Sequence, residues 1–236
     1  MGVPNTDTFT LDDVLQELGL GDGDSLQDCF DDAVSSDFDG NNNPNSTGAS
    51  NNLLNFRNYA NAGLTAVLSN NNLSGSSSWN FFSLDVSSYA GSTAKLVIEY
   101  TSGTSYTGDF QIGGNIVAGS TTWNPNTGLN NFQTSTSSVT TYAIVSWMSM
   151  QDATSYGRWN RRTGNTPSGG TGVASSDPPV GYFYYAETSS GAGYPNKKIW
   201  LRSPSFSITN SNDTIEFYMG HLGATVNNFK IYLDIQ

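Results

Sequence analysis

The sequence has one cysteine, Cys29, and one histidine, His221. A single cysteine excludes an intramolecular disulfide, and one Cys with one His is too few soft ligands for structural zinc. Any Ser-His-Asp or Cys-His arrangement would have to use His221, which stands in the Gly-flanked "MGHLG" and reads as a solvated turn residue. Cys29 falls on an apolar stripe and reads as a small buried hydrophobe rather than a nucleophile. Charge is also scarce: 12% of the 236 residues are charged, and 20 acidic against 9 basic side chains leave a formal charge of −11. That sign repels phosphate backbones and anionic lipid head groups, so neither nucleic acid nor a membrane surface is expected as a partner. No apolar run approaches the ~18 residues of a membrane-spanning helix. The N-terminus lacks the basic and apolar regions of a signal peptide, which predicts folding in a cytoplasm. "MGVPNT" fits the loose myristoylation pattern, but Pro4 and the lack of a polybasic second signal argue against an anchor.

The first 56 residues contain no Lys or Arg, and several acids stand there instead. Two short amphipathic helices are expected between residues 8 and 36. Thr10 caps the first with Asp13 three positions on, and Leu11, Val14, Leu15 and Leu18 repeat at i, i+3, i+4 and i+7 before Gly19. Ser25 and Asp28 repeat the arrangement ahead of Leu26, Cys29, Phe30, Ala33 and Val34. Helices of about ten residues do not bury such stripes on each other well enough to stand alone, so they need a partner surface. The candidate docking residues are Phe9, Leu11, Val14, Leu15, Leu18, Leu26, Phe30 and Val34, with Phe56 and Tyr59 from the aromatic peptide "LLNFRNYA". Between them lies a linker-like loop, "DFDGNNNPNSTGASNN"; Asp37, Asp39 and Asn41 have calcium-loop spacing there, but the later bidentate carboxylate is missing.

From about Ser76 the apolar period changes to 2. "WNFFSLDVSSYAG", "AKLVIEYTSG", "DFQIGGNIVAG", "TTYAIVSWMSM", "VGYFYYAETS", "KKIWLRSPSFSI", "DTIEFYMG" and "NNFKIYLDIQ" are β-type runs between Gly, Ser, Asn and Pro turns. Many short strands without intervening helices predict a mainly β, antiparallel sandwich or jelly roll over residues 76–236, headed by a two-helix module over residues 1–60.

No catalytic constellation announces itself. The acids of the β region, among them Glu99, Asp109 and Glu187, form no obvious glycosidase pair, and "GNTPSGGTG" has neither the Lys nor the strand-to-helix context of a phosphate loop. The expectation is therefore no enzyme, no cofactor and no metal. Arg158, Arg161 and Arg162 form the one basic cluster, beside Trp159; it fits loop salt bridges or contact with an acidic neighbouring subunit. In the row Tyr182 to Tyr185 two rings are expected in the core, while two can face out toward sugars or protein surfaces; packing in the core and on the sandwich surface is the expected use.

The stretch "YGRWNRRTGNTPSGGTGV", residues 156–173, followed by "GYFYYAETS", "IWLRSPSFSI" and "TIEFYMGHLGATVNNFKIYL", resembles the MAM domain family of jelly rolls. The segment "WNFFSLDVSSYAGSTAKLVIEYTSGTSYTGDFQIGGNIV", residues 79–117, resembles the part that closes such a domain, yet here it comes first. The resemblance implies a circularly permuted jelly roll with an adhesive or structural use. The chain departs from the family in having no disulfide and in carrying Gly113 and Gly114 where acidic residues often follow Asp109.

"VPNTDTFTLDDV", "DSLQDCFDDAVSSDFD" and "LLNFRNY" resemble the N-terminal module of virion proteins from tailed phages of marine and Bacteroidetes-type hosts. Similar modules head otherwise different structural proteins there, which implies a docking tag. The resemblance implies a virion component assembled in the host cytoplasm. Its partners would be capsid, portal or tail subunits and further copies of itself, with a host surface glycan as a further ligand of the sandwich. A receptor- or glycan-binding adhesion protein is the alternative.

Overall fold

The computed structural model describes residues 9–18, 25, 26, 29, 53–56, 64–138, 147–152, 154–174 and 181–236. The chain divides into two compact units, Met1–Gly63 and Leu64–Gln236.

In the first unit a single α-helix is described in full, α1 (Leu11–Leu18). Its start is the reciprocal cap expected from the sequence: Asp13 N–H donates to Thr10 Oγ1 at 3.3 Å, and Thr10 N–H donates back to Asp13 Oδ2 at 2.6 Å. Of the second predicted helix only residues 25, 26 and 29 are described, with Cys29 N–H donating to the Ser25 carbonyl at 3.1 Å. A short 3₁₀ turn spans Leu53–Phe56. Phe9, Val14, Leu15, Cys29 and Phe56 gather into one buried cluster, with Leu11, Leu26 and Leu53 against it.

The second unit is mainly β: two antiparallel sheets packed as a sandwich. In chain order the strands are β1 (Thr65–Asn72), β2 (Asn80–Asp85), β3 (Thr93–Thr101) and β4 (Phe110–Ala118). Next come β5 (Thr121–Trp123), β6 (Gln133–Ser138), β7 (Met148–Ser149) and β8 (Trp159–Thr163). The last four are β9 (Tyr182–Ala186), β10 (Lys197–Ser207), β11 (Thr214–Gly220) and β12 (Asn228–Ile235). Sheet A runs β1-β12-β3-β10-β6-β7; sheet B runs β2-β11-β4-β9-β8, with β5 paired to β4. Alternation along each strand sends Leu96, Ile98, Tyr100, Ile199, Leu201 and Ile231 inward from sheet A, to meet Phe82, Phe110, Ile112, Tyr184, Ile215 and Phe217 of sheet B. Aromatic rings join the layers, with Phe229 of sheet A stacked on Phe110 of sheet B at 5.0 Å and edge-on to Phe82 at 5.4 Å.

Strands begin before Ser76. The stretch "TAVLSNNN" is β1, held by β12 with register shifts at Ala66/Leu68 and Leu68/Asn71. Those irregularities and the Asn-rich end hide its period. β6, "QTSTSS", has no large apolar residue and takes its place through the ladder to β10 and through Thr134 Oγ1, which donates to the Trp200 carbonyl at 2.9 Å. Among the described residues no helix is long and apolar enough to cross a membrane.

Candidate functional site

The outer face of sheet B carries a buried polar cluster beneath a Gly-rich loop. Phe183 and Tyr185 alternate with the inward-facing Tyr184 and therefore point away from the core, yet both are fully buried. The Gly-rich loop, residues 164–174, lies in contact with the neighbouring side chains on this face. The Gln111 side chain pairs with Val173 as a second strand would, Nε2 donating to the Val173 carbonyl at 2.9 Å and Oε1 accepting from its N–H. Trp79 tilts against Phe183 at 5.8 Å and donates from Nε1 to the Ala174 carbonyl at 3.0 Å. The two outward rings are thus closed to solvent and pack the surface of the sandwich, the use expected ahead of sugars or partners. Alternation told which rings leave the core; only the loop's return tells that they are covered.

Under the loop sit two carboxylates. Asp109 Oδ2 accepts from Thr171 Oγ1 at 2.8 Å, and its Oδ1 accepts from the N–H and Oγ1 of Thr188, both at 3.0 Å. Burial pushes the Asp109 carboxyl up, to about 6; the neighbouring Glu187 charge adds to this, and the hydrogen bonds from Thr188 and Thr171 oppose it. Glu187 Oε1 accepts from Ser189 N–H at 2.8 Å, while its Oε2 is buried with no hydrogen-bond partner. Thr171 Oγ1 also lies 2.7 Å from Thr166 Oγ1, so one hydroxyl chain ties the loop to Asp109. Beside it opens a cleft of about 530 Å³, lined by Ser77, Asn165, Ser168, Gly170, Thr171 and Leu222 among others. Among the described residues its lining offers hydroxyls, an amide and backbone groups but no charged side chain.

Glu99 lies elsewhere, on the outward face of sheet A, where its register partners are Trp200 of β10 and Lys230 of β12. Its Oε2 is 3.2 Å from Lys198 Nζ and its Oε1 3.8 Å from Lys230 Nζ, yet neither oxygen has an aligned hydrogen bond. The buried carboxylate is thus neutralised by two cations, a structural arrangement. Among the described residues no three His, Cys, Asp or Glu gather as a metal would need, and Asp37, Asp39 and Asn41 lie outside the described residues.

His221 is not a solvated turn residue. It is 7% exposed, with Nδ1 2.7 Å from the Ser74 carbonyl and Nε2 3.2 Å from Asn80 Nδ2. Both ring nitrogens therefore have polar partners inside the protein, one a main-chain carbonyl and the other a side-chain amide. The ring staples the loop before β2 to the end of β11.

The basic cluster divides. Trp159 is fully buried, packs edge-on to Phe110 at 5.9 Å and donates from Nε1 to the Ile199 carbonyl at 3.1 Å, so it is core and not a subunit contact. Arg161 is spent inside the sandwich: Nε donates to the Pro125 carbonyl at 2.6 Å, NH1 pairs with Asp152 at 2.8 Å, and the guanidinium lies 3.8 Å from the Tyr182 ring centre. Arg162 donates from Nε to the Asn165 carbonyl at 2.6 Å. Arg158 is half-buried, and its carbonyl accepts from Glu187 N–H at 3.0 Å.

Of the candidate docking residues, Phe9, Val14, Leu15 and Phe56 are core of the first unit, and Leu11 and Leu26 are half-buried against them. The stripe thus has partners within its own unit, because the 3₁₀ turn brings Phe56 to it. Leu18 closes α1, while Phe30, Val34 and Tyr59 lie outside the described residues. No protein-family model matches the chain, and no solved structure matches it.

Proposed function

We propose that the chain is a non-enzymatic structural component of a tailed-phage virion. The N-terminal unit attaches it to capsid, portal or tail subunits, and the sandwich is displayed as a head decoration, tail component or fibre-like projection. The observation that carries this reading is the division of the chain into Met1–Gly63, with its own apolar cluster, and Leu64–Gln236, with a separate and much larger core. A small self-contained head on a large sandwich is what a docking tag and its cargo require. The sequence resemblance of the first unit to phage virion modules supports a tailed-phage particle as what it docks to. Attachment then falls on the outward side chains of the head, since Val14, Leu15 and Phe56 are occupied.

The placement of β3 and β4 supports a permuted, MAM-like jelly roll. Both come from the early segment that resembles the family's closing part. β3 lies between β12 and β10, and β4 between β11 and β9, in the middle of each sheet.

Receptor or glycan binding is the second reading, favoured by the hydroxyls and the amide that line the cleft beside the Gly-rich loop. The main reading is tested by assembling particles with the full chain or with residues 64–236 alone, the latter checked for β structure by circular dichroism. Incorporation of the full chain only is the expected result. Equal incorporation of the sandwich alone would overturn the attachment role of residues 1–63.

A further inference from the structure

Among the described residues the strand orders of the two sheets end in four edges, three of them blunted; the three-residue β5, paired to β4 alone, adds a fifth that is too short to serve as a template. β1 is broken by two register shifts against β12. β7 is two residues long. β8 is occupied on its outer side, where Gln151 bridges Asn160 and its carbonyl accepts from Arg161 N–H at 2.8 Å. These are the devices by which sheets avoid pairing with other chains.

β2 has none of them. Its six residues, "NFFSLD", pair with β11 from Asn80↔Met219 to Asp85↔Thr214 without a shift, and contain no Lys, Arg, Pro or Gly. Val86 N–H donates to the Asp213 carbonyl at 3.0 Å, which sets the phase of this ladder. In an antiparallel pair the bonded positions alternate, so Phe82 and Leu84 bond β11, while Phe81, Ser83 and Asp85 turn their N–H and C=O groups to the open side. The same three residues are the exposed ones of the strand. Phe81 is 56% exposed, with its ring 5.2 Å from Tyr218 on the outer face. An unpaired, regular edge beside the exposed Phe81 and the half-buried Tyr218 is a template for strand addition.

We infer that the β2 edge pairs two copies of this chain, antiparallel across a two-fold axis at Ser83, joining their B sheets into one. The edge is complementary to itself. Outward-facing backbone groups at Phe81, Ser83 and Asp85 meet the same set in reverse order, so Ser83 lies opposite Ser83 and Phe81 opposite Asp85 of the second copy. The one ionisable side chain of the three is Asp85. This register holds the two Asp85 carboxylates four residues apart along the ladder, about 14 Å, beyond the screening length at physiological salt. A parallel pairing in register would set them side by side. Because each copy carries a charge of −11, the contact is weakened by mutual repulsion and strengthens as salt is added. The inference goes beyond the virion reading and does not rest on it.

The test is sedimentation of the full-length protein over a range of concentration and salt, with hydrogen exchange at the amides of β2. Expected is a concentration-dependent dimer favoured by salt, in which the Phe81, Ser83 and Asp85 amides gain protection as dimer forms. Ser83→Pro removes an N–H that faces the open side and leaves the β11 ladder whole. Phe81→Lys places a charge on the edge. Each should weaken the dimer by about tenfold or more, while Ala66→Lys on the blunted β1 edge leaves it unchanged. A protein that stays monomeric throughout overturns the inference, as does a dimer that forms without added protection of those amides. Should Ser83→Pro fail to fold, Phe81→Lys and the exchange data decide.

Discussion

The indole N–H of Trp159 donates to the main-chain carbonyl of Ile199 at 3.1 Å, joining β8 of sheet B to β10 of sheet A through the middle of the sandwich. Trp159 is also among the largest fully buried side chains of the protein. Trp159→Ala should therefore destabilise the sandwich by about 3–5 kcal/mol. Trp159→Phe keeps most of the ring packing and loses the hydrogen bond, for which about 1 kcal/mol is expected beyond the change in ring volume. Denaturant melts followed by circular dichroism check both. Equal and small effects would return Trp159 to the surface.

Asp109 gives the protein a pH dependence of unusual sign. Its folded carboxyl titrates at about 6, above the ordinary 3.8, so between these values the folded chain holds a proton that the unfolded chain releases. Stability contributed by this group thus falls as pH rises from about 4 to about 6 and is level outside that window. Asp13, Asp85 and Asp213, held low by hydrogen bonds from Thr10, Ser87 and Thr209, lose their contributions only below that window. The wild-type stability should drop across the window relative to Asp109→Asn by an amount on the order of 1–3 kcal/mol, seen as a fall in Tm that the variant does not share. Parallel Tm curves for the two proteins would contradict this.

The Gly-rich loop depends on Gly172. Its φ is +66°, and a Cβ there would lie 2.4 Å from Thr166 Cγ2 and 2.9 Å from Gln111 Oε1. Gly172→Ala should release the loop from Gln111 and cost about 2 kcal/mol or more, from the left-handed backbone and the overlap together. Limited proteolysis should then cut within residues 164–174 before the rest of the sandwich. An unchanged digestion pattern would mean that the loop is held by other contacts.

Thr10 and Asp13 cap α1 reciprocally. Thr10→Ala should lower the free energy of opening of α1 by about 1 kcal/mol, seen as faster amide exchange over Leu11–Leu18 with the sandwich unaffected. A matching acceleration in β3 would mean that the two units unfold as one.

What the sequence made legible follows its local chemistry. The period-2 runs of β3, β4 and β9 to β12 and the Thr10–Asp13 cap are written in contiguous residues. β1 and β6 were not, because one is broken by register shifts and the other takes its place through backbone ladders and Thr hydroxyls. Residues with two solvents, as it were, were misjudged for a common reason. Trp159, His221, Phe183 and Tyr185 are buried by segments distant in sequence, and no local pattern records that return. The apolar stripe of α1 was legible as a stripe, but its partner, Phe56, stands far along the sequence from it.

Immunogold electron microscopy of purified particles, with antibody against residues 64–236, tests the central claim most directly. The account predicts gold at one fixed place on the head or tail. Particles without label, and the protein found instead in cells or on their surface, would contradict a virion component and put a bacterial adhesin in its place.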